Sequence, residues 1–433
     1  MLKIAGARCG FEAEPLSAPF GFKGKHIDVL WQSAVVLQDG DGNVGCAPGV
    51  QSIVWSDAAV MEALGQQGGN EAMFSITRRA VEMVQGQSFS DPIQMVHSLL
   101  EPLCRYAAQI TGLKEIRPTF VLNALVLLDL AAWQLYAHAD GIADFDGLIP
   151  ESCRPALSAR HRQLACIPLI SYNVDIDAAS GLAQQGNFLL KIKLGSDPDG
   201  DGDREKMLQW DMQRVSQLHA ALKDGRTPFT DNGRLAYYFD ANGRYDSRDR
   251  LMRLVDHLDR IGALEQTVLL EEPFPENSGV DVRGIPVRIA ADESAHGVGD
   301  ARSLIELGYG AMALKPIAKT LSVSLEVAKC AHEAGVPCFC ADLTVNPLMV
   351  DWNKNVAARL PAIPGLKVGA LESNGPQNYP DWARLRSYHP IPESPWVDAR
   401  NGQFFLDDDF YRRSGGVLMD SAHYLAVACG EPV

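Results

Sequence analysis

Beyond Ile167 the chain repeats one pattern: a short apolar run, a charge at its end, then a stretch of helical periodicity. Such runs read as strands of a parallel sheet buried on both faces, with a functional side chain at the C-terminal end. Strands are expected near 167–173, 187–193, 235–240, 267–271, 287–292, 311–315, 336–341 and 366–371. Eight is the number a closed barrel needs, and in such barrels the active site lies at the C-terminal ends of the strands.

The pattern upstream of about residue 150 is different. A strand-like run from Ile27 to Leu37 precedes the hairpin signal Asp39-Gly-Asp-Gly-Asn43. Helical patterns follow at 57–64, 73–85, 92–108 and 118–137, so an α+β domain is expected. The most apolar window, Val121 to Ala137, contains Asp129 and Gln134. It reads as a buried helix, too short and too polar for a membrane span. Residues 391–433 break the alternation, and Asn401 to Leu406 reads as a strand packing back on the first domain. The expected fold class is α/β. An α+β capping domain covers 1–145, a (β/α)8-type barrel (modified TIM barrel) covers 150–390, and a C-terminal segment over 391–433 returns to the capping domain.

Composition narrows the function. With 433 residues and 46% hydrophobic content the chain can bury a full core. A net charge of −15 argues against nucleic acid or anionic membrane as partner, and leaves room for a small carboxylate held by local positive charge. The nine scattered cysteines read as reduced thiols, which places the protein in the cytoplasm, and Cys338-Phe-Cys340 reads as structural. No N-terminal stretch resembles a signal peptide.

The strand-end charges carry the chemistry. They lie in Phe188-Leu-Leu-Lys191-Ile-Lys193, Tyr237-Tyr-Phe-Asp240-Ala-Asn242, Leu269-Leu-Glu271-Glu272-Pro273, Ile289-Ala-Ala-Asp292-Glu293-Ser294 and Ala313-Leu-Lys315-Pro316. A single strand-end acid is commonly a helix cap and a single lysine commonly solvated. Five in register, in the order Lys, Asp, Glu, Asp, Lys, call for another explanation. Strands 3, 4 and 5 are neighbours, so Asp240, Glu271 and Asp292 converge and repel unless a hard cation sits between them; oxygen ligands suit Mg2+ or Mn2+. Strands 2 and 6 lie four apart in the ring, so Lys193 and Lys315 face each other across the pocket. A carboxylate held by the metal would put its α-carbon between two amines, either of which can remove the α-proton. Lys191 projects from the same strand face as Lys193 and acts on it electrostatically.

These motifs, with Leu314-Lys315-Pro-Ile-Ala-Lys319, resemble the enolase superfamily, specifically its muconate-lactonizing-enzyme subgroup. The resemblance implies an acid/base pair, Lys193 and Lys315, and an essential Mg2+ on Asp240, Glu271 and Asp292. Asn123 to Trp133 resembles the last helix of that family's capping domain, so the likeness spans nearly the whole chain. Mandelate racemase and its near relatives use a strand-7 histidine; here strand 7 reads Pro337-Cys-Phe-Cys-Ala-Asp342, which favours two-lysine chemistry. Dipeptide epimerases carry Asp-x-Asp on strand 8; here Glu372-Ser-Asn374 offers one acid, so dipeptides are expected to be poor substrates. Lys319 is followed by Thr-Leu-Ser instead of the usual Gly pair.

The expected activity is racemisation or epimerisation through an enolate. Dehydration or cycloisomerisation through the same enolate is the enzymatic alternative, and a non-catalytic binding barrel the alternative of another class. Asn242 and Glu372 are expected to bind substrate, as are some of Phe20, Phe22, Lys23, Lys25 and Gln51 in the cap loops. A homo-oligomer is expected. The acidic loop Asp197 to Glu205 imitates the first half of a calcium loop but has Leu208 at the twelfth position, so it reads as a solvated loop ahead of a helix, with a second cation as the alternative. His296 reads as a rim residue or as a second group facing the pocket.

Overall fold

The computed structural model describes residues 1–22 and 25–431. Lys23, and the side chains of Phe20, Phe22 and Lys25, lie outside the described residues.

The cap begins with a three-stranded antiparallel sheet, Gly6–Phe22, Lys25–Gln38 and Val44–Gln51, in chain order. The turn between the last two follows from Asp39, whose Oδ1 accepts the Asp41 and Asn43 amides at 2.9 and 2.8 Å. The strand Gly6–Phe22 was not anticipated; its two prolines and three glycines hide the alternation and are tolerated because it is an edge strand. Three helices follow: Ala58–Val84, Pro92–Thr111 and Pro118–Asp140. The first joins the two expected patterns across a break at Gly65 (φ 70°, ψ −179°). The last is long and apolar enough to cross a membrane, yet 94% of its most apolar window is buried inside the protein. It packs on the sheet so closely that a Cβ on Gly45 would collide with the Ala131 carbonyl.

The remainder is a barrel of the TIM type. Parallel pairing runs from Leu189–Lys193 through Ala236–Asp240, Thr267–Glu271, Ile289–Ala291, Ala311–Leu314 and Cys338–Cys340 to Gly369–Glu372. The first barrel strand closes the ring and lies earlier than the sequence suggests. Its apolar run is divided by Pro168: Gln163–Ile167 pairs with the eighth strand and Leu169–Ile170 with the second. Proline has no amide to donate, so the ladder changes partner there. The expected 401–406 strand is also corrected. Gln403–Phe405 does not pack on the cap but pairs antiparallel with Gln163–Ile167, as an eleventh-hour extension of the barrel wall. The chain returns to the cap at residues 417–419, whose carbonyls meet Gln134 and His138 of the last cap helix, and through its last helix, Ala422–Cys429, which packs on the first two cap strands; Gly10 allows the contact, since a Cβ there would strike the Val427 carbonyl.

Candidate active site

Strand register sets the site. Lys193 lies beside Asp240, and Asp240 beside Glu271, on three adjacent strands. Asp292 follows Ile289–Ala291 and Lys315 follows Ala311–Leu314 directly. All five are buried at the C-terminal rim. Lys191, Lys193, Asp240, Asn242, Asp292, Lys315 and Glu372 line one cavity between barrel and cap.

The lysines sit against the acids. Lys193 Nζ is 2.6 Å from Asp240 Oδ2 and donates to Asn242 Oδ1 at 2.5 Å. Lys191 Nζ lies 2.9 Å from Asp240, 3.4 Å from Glu271 and 3.0 Å from Glu372. Lys315 Nζ donates to Asp292 Oδ2, and Lys319 Nζ lies 3.2 Å from Asp292 Oδ1. Burial alone would strip the charge from Lys191 and Lys315, but the acids around them outweigh it. Lys191 is held well above its ordinary value and Lys315 above it. Burial likewise opposes the charge on Asp240, yet Lys191 and Lys193 hold that carboxyl down at about 2. Glu271 goes the other way: burial, aided by the charge of Asp292, pushes it up.

Three carboxylates gather most tightly, though the set differs from the expected one. Glu271, Asp292 and Glu293 each offer an oxygen within 4.8 Å of the others. Asp240 lies beside this group with its Oδ2 taken by two ammoniums and its Oδ1 by the Asn242 amide at 3.1 Å. Glu293 Oε2 is buried and makes no hydrogen bond, and Asp292 Oδ1 has only the Lys319 ammonium beside it. An all-oxygen, buried, under-satisfied acid cluster suits a hard divalent cation. Glu293 is not among the ligands expected from the sequence. The strand ends at Ala291, so Asp292 and Glu293 both lie beyond the pleat and both turn inward.

Second members of the motifs brace the first. Glu272 (φ 42°) accepts the Asp292 amide at 2.8 Å and the Ser294 hydroxyl. Asn242 (φ 44°) donates to Glu293 at 2.9 Å while accepting from Lys193. Thr320 has φ 73°, a glycine conformation, and its Oγ1 accepts the Val323 amide at 3.2 Å. The threonine in place of a glycine therefore starts the helix Leu321–Glu333 at some backbone strain.

The cap closes the site with Leu16, Ile27, Leu30, Val54 and Trp55. The Lys315 ammonium sits 4.4 Å from the Trp55 ring centre. Trp55 was not singled out in the sequence; Gln51, which was, is buried in the cap and is not among the lining residues. Arg117 fixes the turn by donating to the Trp55 carbonyl at 3.1 Å while pairing with Glu276 of the barrel. His296 lies 3.2 Å from the same Glu276 and 3.5 Å from Asp300, on the rim outside the cavity lining. Gln32 donates to the Tyr379 hydroxyl at 2.8 Å and accepts from Asn346 at 2.9 Å, a buried clasp between cap strand and barrel. The acidic loop is answered internally: Lys206 lies 2.6 Å from Asp199 and 2.7 Å from Asp201, and Asp203 caps the helix Arg204–Leu222. All nine cysteines are free, and burial pushes Cys338 up to about 12, far from a thiolate ligand.

Comparison with known proteins agrees with the fold. Residues 175–374, from the first barrel helix to the end of the eighth strand, match the model of the enolase C-terminal domain-like family. This segment is similar to that family. No curated protein matches the chain. Among solved structures, the enolase-like fold recurs in a mandelate racemase/muconate lactonizing protein from Herpetosiphon aurantiacus, 17% identical, covering 94% of this chain and 96% of that one, with a TM-score of 0.65. A dipeptide epimerase from Enterococcus faecalis, complexed with Mg and L-Leu-L-Tyr, is 15% identical over 94% of this chain and 97% of its own, with a TM-score of 0.64. An N-succinyl Arg/Lys racemase from Bacillus cereus is 14% identical, covering 94% and 92%, with a TM-score of 0.62. The likeness to these structures is one of fold: capping domain and barrel together.

Proposed function

We propose that the protein moves the α-proton of a small carboxylate substrate, giving racemisation or epimerisation. The observation that carries this reading is the pair of buried amines, Lys193 and Lys315, which line one cavity from strands on opposite sides of the ring. A carbon acid between them has a base on each face. One lysine takes the proton and the other, as its ammonium, returns one from the opposite side. Lys191 is the fixed charge. Held as an ammonium by Asp240, Glu271 and Glu372, it favours an anionic group at the near wall. Asn242 orients the Lys193 amine, and Trp55 with the cap residues keeps water from the reacting carbon.

Asp240, Glu271 and Asp292 would hold Mg2+, with Mn2+ the alternative, and Glu293 is placed to join or replace one of them. The ion, when bound, supplies the positive charge that stabilises the carboxylate as its α-carbon loses a proton. The solved structures of similar fold include a dipeptide epimerase complexed with Mg and an N-succinyl Arg/Lys racemase, which is in keeping with this chemistry.

The test is isotope exchange in heavy water with Mg2+, using amino acids, N-acyl amino acids, proline betaines and acid sugars. For a racemase, Lys193→Ala stops exchange from one enantiomer and Lys315→Ala from the other. Full two-way racemisation by either variant refutes the two-base reading. If one substitution alone blocks exchange, the protein is a dehydratase or cycloisomerase working through the same intermediate.

A further inference from the structure

The far end of the cavity holds an acid that proton transfer does not use. Asp342 follows the seventh barrel strand, which stands opposite the third strand and its Asp240 in the ring. It is 5% exposed and lines the cavity beside Glu372. Its Oδ2 accepts the Asn374 amide at 2.7 Å, while its Oδ1 has no hydrogen-bond partner. The other acids lining the cavity are matched: Asp240 by Lys191 and Lys193, Asp292 by Lys315 and Lys319, Glu372 by Lys191. Among the described residues, no cationic side chain pairs with Asp342. Burial, with Glu372 nearby, pushes its carboxyl up to about 7. Thr344 and Asn374 line the cavity on the same side, and its apolar lining includes Leu16, Ile27, Leu30 and Leu343.

A buried carboxylate left unpaired is costly, and the cost is relieved by a positive partner. A neutral apolar group at this end would leave Oδ1 unanswered, and an anionic one would meet two carboxylates. We propose that Asp342 determines specificity by selecting substrates with an ammonium group remote from the carboxylate, on an otherwise apolar body. This also revises the count of acids at that end. Glu372 is joined by Asp342 from the neighbouring strand, which no spacing within strand 8 could reveal. The proposal rests on the proton-transfer reading only for which end of the cavity the substrate carboxylate takes.

The experiment uses the full chain with Mg2+ and two matched probe pairs. N-acetyl-L-lysine is set against N-acetyl-L-norleucine, and glycyl-L-leucine against N-acetyl-L-leucine. Within each pair the members differ chiefly by the ammonium. Binding is read by calorimetry and α-exchange by loss of the proton signal in heavy water. In at least one pair the wild type should bind the cationic member tenfold or more tighter, and Asp342→Asn should reduce that preference to under threefold. Asp342→Ser, whose hydroxyl can still accept the Asn374 amide, serves if the asparagine variant melts far below wild type. A preference for the neutral member in both pairs, a preference that survives both substitutions, or no binding of either cationic probe overturns the proposal. Asp342-dependent binding without any exchange would count against the proton-transfer reading and leave this one standing.

Discussion

Lys191 offers the sharpest test of how the site is held together. Its ammonium is 3% exposed and touches three buried carboxylates, Asp240 at 2.9 Å, Glu372 at 3.0 Å and Glu271 at 3.4 Å. Lys191→Met keeps the length of the side chain and removes the charge. Breaking a buried ion pair from one side typically costs about 3–5 kcal/mol, because the partner is left uncompensated. The pH dependence gives a second handle. The folded-state value of Lys191 is raised, so its contribution is complete below the unfolded value near 10.4 and constant between pH 6 and 9. In the variant the acids lose their cation, their folded-state values rise, and folding takes up protons; stability then falls as pH rises. The deficit of Lys191→Met should therefore widen from pH 6 to pH 9. Urea titrations of the chelated protein, followed by tryptophan fluorescence, measure it. A deficit below about 1 kcal/mol, or one that narrows toward pH 9, would show that the three acids are not organised by this ammonium.

Other consequences are as direct. Chelation should abolish activity, and calorimetric Mg2+ titration of Asp240→Asn, Glu271→Gln, Asp292→Asn and Glu293→Gln should show weakened binding for the residues that hold the ion; undiminished turnover in metal-free enzyme would refute the metal assignment. Asp129, buried between cap and barrel with Ser322 donating to it, is pushed up to about 7 by burial. A raised acid stabilises the fold fully below its unfolded value near 3.9, and that stability is lost as pH rises to the folded value, so Asp129→Asn should gain roughly 2–3 kcal/mol on wild type between pH 5 and 7.5 in urea midpoints. Gly10→Ala should force the helix Ala422–Cys429 off its seat at a cost of about 1–3 kcal/mol, read as faster amide exchange confined to that helix and its strand.

What could be read from the sequence was what obeys local rules. The strands from the second to the eighth were visible because each is apolar along its length and stops at a charge or a turn. The first was displaced because Leu164 to Ile170 is one apolar run to the eye, and only the ring shows that Pro168 hands it from one neighbour to another. The five strand-end charges were legible for the same reason as the strands. Glu293 was not, because two successive inward side chains contradict alternation unless the strand is known to have ended. Asp342 and Trp55 were not, because their importance lies in what faces them across the cavity, and cross-cavity facing leaves no periodicity in the chain.

The C-terminal segment has a consequence for traffic into the cavity. The chain leaves the cap, winds the barrel, lends Gln403–Phe405 to the barrel wall and then ends on the cap sheet. A hinge that swung the cap away as a rigid door would have to peel that last helix from its seat. It would also have to open the buried clasp of Gln32, Asn346 and Tyr379. Door-like opening is thereby penalised at two separated points, whereas Leu16 lies in the register break between Pro15 and Phe20, where the pairing with the strand of Ile27 is interrupted and can part locally. Substrate should come and go past Leu16 and Ile27 at the cavity edge, and exchange of the amides beside them should respond to ligand while those of residues 30–38 and 422–429 stay protected.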